Sequence, residues 1–196
     1  RNFTARGDFF EKRFPIDYPR CSGVDGFVKS ALATATLYGI LDLGYVARQD
    51  LEQRTQDLCD AGVDVVQLRA KGHSPEDILA IARSVQSIVK NAAIPFIIND
   101  FPEIAASIQA DGVHIGQDDG SLAQVRAVVG TQMLVGRSTH SVDQARAALS
   151  EGFDYIGFGP LFPTPTKVGR PGIGMENIAT VERDVGKQIP VFCIGG

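Results

Sequence analysis

Between Leu37 and Gly196 the chain repeats one figure seven times: a short, continuous apolar run followed by a stretch with helical or turn character. The runs are Leu37–Leu43, Val63–Leu68, Pro95–Ile98, Gly112–Ile115, Met133–Val135, Tyr155–Phe158 and Val191–Ile194. Each is too short for a helix and apolar without alternation, the pattern of a strand covered on both faces. The intervening stretches read as amphipathic helices. Leu51, Leu58 and Cys59 share a face of one that ends before Gly62. Ser74 caps another, with Pro75 in its first turn and a stripe of Ile78, Ile81, Ala82, Val85, Ile88 and Val89. Further helices are expected over Pro102–Ile108, Ser121–Val129, Glu176–Val185 and from the Ser141 cap to about Glu151. Strand and helix alternating at roughly 20–25 residues per unit predict an α/β fold of the (β/α)8, or TIM, barrel type. A dinucleotide-binding open sheet is disfavoured, because Leu43-Gly44-Tyr45-Val46 carries no glycine fingerprint after the first strand.

The count of seven leaves the barrel without its C-terminal β8/α8 unit, so the expectation is a truncated barrel or a substitute in the vacant slot. Residues 1–36 read as an irregular N-terminal extension and 37–196 as the barrel domain. Within the extension, residues 24–35 suit a short helix starting near Asp25. The same segment has a second reading, as a strand lying beside strand one in the empty position.

A formal net charge of -4 excludes a bulk nucleic-acid binder, so any anion site must be built locally. No apolar run is long enough to span a bilayer. Cys21, Cys59 and Cys193 are odd in number and widely spaced, which fits neither a disulfide framework nor a zinc site. They point to a reducing compartment: the cytoplasm, or an organelle matrix if the amino terminus is processed. Homo-oligomerisation or a fusion partner is compatible with the sequence.

In a barrel of this kind chemistry gathers at the carboxyl ends of the strands. The segment Asp154–Lys167, DYIGFGPLFPTPTK, runs from a buried strand into a proline-stiffened loop bearing Thr164, Thr166 and Lys167. Two hydroxyls and a point cation on a rigid loop suit a phosphoryl group. Strand two ends in Gln67, Arg69 and Lys71, an amide and two cations on one side of the chain, suited to a diphosphate. Asn99-Asp100 closes strand three, and Gln117-Asp118-Asp119 follows strand four. Carboxylates from adjacent strands beside a diphosphate are what magnesium requires. Asp119 takes the metal role here and Asp118 a capping or supporting one. His114 reads as a satisfied core histidine. Ser138 is placed to hydrogen-bond a phosphate or a ring nitrogen. Gly195-Gly196 offers backbone N–H groups to a second phosphate.

Taken together, QLRAK, FIIND, ADGVHIGQDD, GRSTH, DYIGFGPLFPTPTK and IGG resemble the thiamine phosphate synthase family, in order, from Leu37 to Gly196. The resemblance implies a transferase that joins a hydroxymethylpyrimidine diphosphate to a thiazole phosphate, giving thiamine monophosphate and pyrophosphate. It implies Gln67, Arg69, Lys71 and Asn99 on the pyrimidine diphosphate, and Asp100 and Asp119 on Mg2+. It further implies Ser138 near the reacting centre, Lys167 on the diphosphate, and Thr164, Thr166 and Gly196 on the thiazole phosphate. The catalytic set would be Lys167, Arg69 and Ser138, and the partners small phosphorylated substrates, with neither nucleic acid nor membrane. The family's Val-Ser pair at the end of strand eight has no counterpart here. Two alternatives stand beside this reading. One is a thiazole tautomerase of the same fold, with His140 as acid–base; the other is a non-catalytic barrel serving as a structural or interaction subunit.

Overall fold

The computed structural model describes residues 24–164 and 171–195, with the side chains of 24–27 excepted. Helix α1 (Val24–Thr34) precedes strand β1 (Tyr38–Asp42). There follow α2 (Leu51–Asp60), β2 (Val65–Arg69), α3 (Pro75–Asn91), β3 (Phe96–Asn99) and α4 (Pro102–Ile108). After these come β4 (Gly112–Ile115), α5 (Leu122–Val129), β5 (Leu134–Thr139), α6 (Val142–Glu151) and β6 (Tyr155–Phe158). The described part closes with α7 (Ile178–Val181), whose helical path continues through Glu182–Gly186, and β7 (Val191–Cys193). All neighbouring strands pair in parallel, in sequence order β1 to β7. The sheet curls: Tyr38 on β1 and Phe192 on β7 bring their ring centroids within 4.9 Å across its hollow side.

Alternation along each strand sorts the residues. Val66, Leu68, Phe96, Ile98, Val113, Ile115, Val135, Ile156 and Phe158 face outward and join the helix stripes in one core. Ile78, Ile81, Ala82, Val85 and Val89 of α3 supply the expected stripe, and the Ser74 hydroxyl caps that helix by accepting from Asp77 N–H at 3.2 Å. The inward residues form layers. The lowest, at the strands' amino ends, is apolar: Val65, Ile97, Leu134 and Tyr155, closed from below by Leu32 of α1. Above it come Gln67, Asn99, His114 and Ser138, and above those the charged ends of the strands.

Three expectations need correction. The strand reading of residues 24–31 fails, because this segment is helical. Val28 and Leu32 stand four residues apart, on one helix face, and both meet the lower layer. Strand β5 runs on to Thr139 rather than stopping at Val135, so Ser138 lies in the strand itself. Gly136 is an accommodation: a Cβ there would come within 2.1 Å of the Tyr155 ring. Asp118 does not cap α5. Ser121 does, in a reciprocal capping box with Gln124.

Candidate active site

A hollow of about 360 Å³ opens at the carboxyl ends of the strands. Its lining includes Gln67, Arg69, Lys71, Asn99, Asp100, Asp119, Ser138 and Thr164, eight of the residues singled out from sequence. They come from five strand ends, which only the parallel sheet brings together. Thr166, Lys167 and Gly196 lie outside the described residues.

Each group is held by its neighbours. Arg69 donates to Asp42 Oδ2 at 2.6 Å, and Asp42 Oδ1 accepts the N–H of Gly44 at 2.9 Å. Both partners are largely buried, so this pair fixes the guanidinium at the wall rather than leaving it to sweep through solvent. Lys71 reaches Asp100 at 3.2 Å and remains half exposed. Asp119 accepts the Gly116 N–H at 2.7 Å, which turns its carboxylate back over the end of β4. Arg137 braces the same loop from outside, donating to the carbonyls of Gly120 at 2.7 Å and Gln117 at 3.1 Å.

Asp100 occupies a left-handed backbone conformation, φ 66°, just past the end of β3. Burial raises its carboxyl above the usual carboxylate range, and the negative charge of Asp119 raises it further, against the pull of Lys71. The repulsion between the Asp100 and Asp119 charges makes a second negative charge here costly without a cation. The donor set fits magnesium: two hard oxygen ligands at an open rim. Among the described residues no group of three or more His, Cys, Asp or Glu gathers as a metal cage. A magnesium ion here would complete its shell with water and phosphate oxygens, its ordinary habit.

The floor is a polar chain that the sequence reading missed. Tyr38 donates to Gln67 Oε1 at 3.1 Å, and the Tyr38 and Tyr155 hydroxyls lie 3.1 Å apart. His114 contacts Tyr155 through Nδ1 at 3.2 Å and Ser138 through Nε2 at 3.0 Å. His114 is thus satisfied, as expected of a buried histidine, yet it also lines the hollow. Asp42, Tyr38 and Tyr155 carried a faint signal in the sequence. Each places a polar atom in or beside an otherwise apolar strand run. His140 is not part of the lining: its Nδ1 bonds the Gly159 carbonyl.

Parallel strand–helix units with a mixed-charge hollow at the strands' carboxyl ends define the class of TIM-barrel-type enzymes. Comparison with known proteins narrows this. The family model described as thiamine monophosphate synthase matches residues 37–196. The chain is 38% identical to a thiamine-phosphate synthase of Caldanaerobacter subterraneus subsp. tengcongensis, covering 82% of this chain and 74% of that one. It is 41% identical to the thiamine-phosphate synthase of Thermus thermophilus, over 73% of this chain and 68% of the other. Among solved structures, a thiamine phosphate pyrophosphorylase from Pyrococcus furiosus superposes with a TM-score of 0.74 at 25% identity, covering 86% of this chain and 77% of that one. The chain belongs to the thiamine monophosphate synthase family, and so is an enzyme, a transferase of thiamine biosynthesis.

Proposed function

We propose that this chain joins 4-amino-2-methyl-5-hydroxymethylpyrimidine diphosphate to a thiazole phosphate, forming thiamine monophosphate and releasing pyrophosphate. The observation that carries the reading is the convergence of Arg69, Lys71, Asp100 and Asp119 on one rim above Gln67 and Ser138. Cations and carboxylates held together at a pocket mouth suit a polyanion with its counter-ion. Gln67 and Ser138 hold the pyrimidine ring. Arg69, Lys71 and Lys167 contact the diphosphate and stabilise the charge that develops on it as the carbon–oxygen bond breaks. The electron-rich ring carries the resulting cation at its methylene, and the thiazole nitrogen captures it. No protein base or nucleophile is needed for this step. Thr164, Thr166 and Gly196 receive the thiazole phosphate. Asp100 and Asp119 would hold Mg2+, whose part there is to neutralise diphosphate charge. The seven strands are read as units of an eight-unit barrel, the remaining slot lying between the β7 and β1 edges.

The test is direct: incubate the purified chain with both substrates and magnesium, and measure thiamine monophosphate and pyrophosphate. The expected result is equimolar formation of the two, abolished by EDTA. Pyrophosphate formation indifferent to EDTA would remove the metal assignment, and no product would remove the synthase reading.

A further inference from the structure

Five side chains cross the floor of the hollow in one line: Gln67, Tyr38, Tyr155, His114 and Ser138. The links measure 3.1, 3.1, 3.2 and 3.0 Å in that order. Each hydroxyl has a single hydrogen to give, so the direction of one link dictates the next. Tyr38 gives its hydrogen to Gln67 Oε1. The hydrogen between the two tyrosines must then come from Tyr155. With that hydrogen spent, the link to His114 takes its hydrogen from Nδ1. In the neutral imidazole one ring nitrogen donates and the other accepts, so with Nδ1 the donor Nε2 is the acceptor. Ser138 must therefore donate to it. Burial also pushes both phenols above their ordinary range, which keeps each hydroxyl's hydrogen in place.

We infer that Tyr38, Tyr155 and His114 are positioning residues that relay one hydrogen-bond sense across the floor, leaving Gln67 a donor and Ser138 an acceptor toward the bound heterocycle. Gln67 has committed its carbonyl oxygen and keeps its amide N–H groups. Ser138 has committed its hydrogen and keeps its lone pairs. A ring bearing an amino group beside an unprotonated nitrogen meets this pattern. The corresponding oxo ring, with its own N–H, meets it in reverse. Discrimination between the two is therefore set partly by Tyr38, three links along the line from Ser138. The specificity statement rests on the synthase reading; the relay does not.

The first measurement needs no substrate: nitrogen NMR of the His114 imidazole in the intact chain at neutral pH. The expected signal is the tautomer protonated at Nδ1 and bare at Nε2. Protonation at Nε2, alone or together with Nδ1, would overturn the relay. Tyr38→Phe frees the Tyr155 hydrogen to turn toward His114, so the tautomer should shift toward Nε2–H; an unchanged spectrum in a folded variant would contradict the account. Should Tyr38→Phe not fold, Tyr155→Phe removes the acceptor at Nδ1 and must move the same signal. The second measurement is kcat/KM for the aminopyrimidine diphosphate against its oxo analogue. The ratio should fall about tenfold in Tyr38→Phe, whereas a purely structural defect would lower both substrates alike and sink the specificity claim. A correct tautomer with no product from either substrate upholds the relay and removes the synthase reading instead.

Discussion

The lower and upper halves of the sheet's hollow side are built from the same strands, yet they obey opposite rules. Below, Val65, Ile97, Leu134 and Tyr155 meet Leu32 of α1 in a closed apolar layer. Two or four residues further along the same strands stand Gln67, Arg69, Asn99 and Ser138, around an open hollow. The period of two that buries a valine at one level presents an arginine at the next. Stability and chemistry are thus separated by height within one sheet. The lower half gains from every apolar contact. The upper half keeps two carboxyls side by side, an arrangement that favours a ligand over the empty protein.

If this division is real, mutations at the two levels should fail in different ways. The largest effect belongs at the rim. Asp100→Asn combined with Asp119→Asn should lower turnover by at least about a hundredfold. The same pair should leave the melting temperature unchanged or raise it, since it removes like-charge repulsion. Parallel kinetics and thermal melts check this, and a large loss of stability would blur the two halves. Next is Leu32→Ala, at the base of the lower layer. It should cost about 2–5 kcal/mol of stability. Its kcat, measured well below the melting temperature, should stay within about threefold of the parent's, because Leu32 itself does not line the hollow. A selective collapse of kcat in a folded Leu32→Ala chain would show that the levels are coupled.

The smallest effect sharpens the lower boundary. Burial raises the Asp64 carboxyl, but donation from the Thr36 N–H at 2.7 Å, the Leu37 N–H at 2.9 Å and the Thr36 hydroxyl at 3.0 Å outweighs it. Its folded-state pKa is therefore depressed. A depressed carboxylate contributes stability above its unfolded value, near pH 4, and loses it as pH falls toward the folded value. Asp64→Asn should thus lower the melting temperature modestly at pH 7, and the gap to the parent should narrow below about pH 4. A gap that widens in acid would reverse the assignment. Activity should not change.

The two levels were not equally legible in the sequence. Apolar runs and helix caps announced the strands, because continuous Val, Ile, Leu and Phe segments have few other uses. The charged strand ends were legible too, since Arg69, Asp100 and Asp119 terminate apolar runs where a barrel places its chemistry. The polar floor was not. Tyr38 and Tyr155 look like core aromatics, and only the register that sets β1 opposite β6 through the curl of the sheet makes their hydroxyls meet. Asp42 was hidden for a similar reason: its partner Arg69 lies 27 residues away, across one strand pairing. Helix α1 was ambiguous because residues 24–31 suit either periodicity. Tertiary packing of Leu32 decided it.

The central claim is that the rim collects groups from distant strands to hold a polyanion and its counter-ion. Calorimetric titration of inorganic pyrophosphate into the intact chain, with and without Mg2+, tests it without depending on the full reaction. The account predicts binding that requires Mg2+ and weakens at least about tenfold in Arg69→Ala. Binding of equal strength without the metal, or unaltered by loss of that guanidinium, would contradict it.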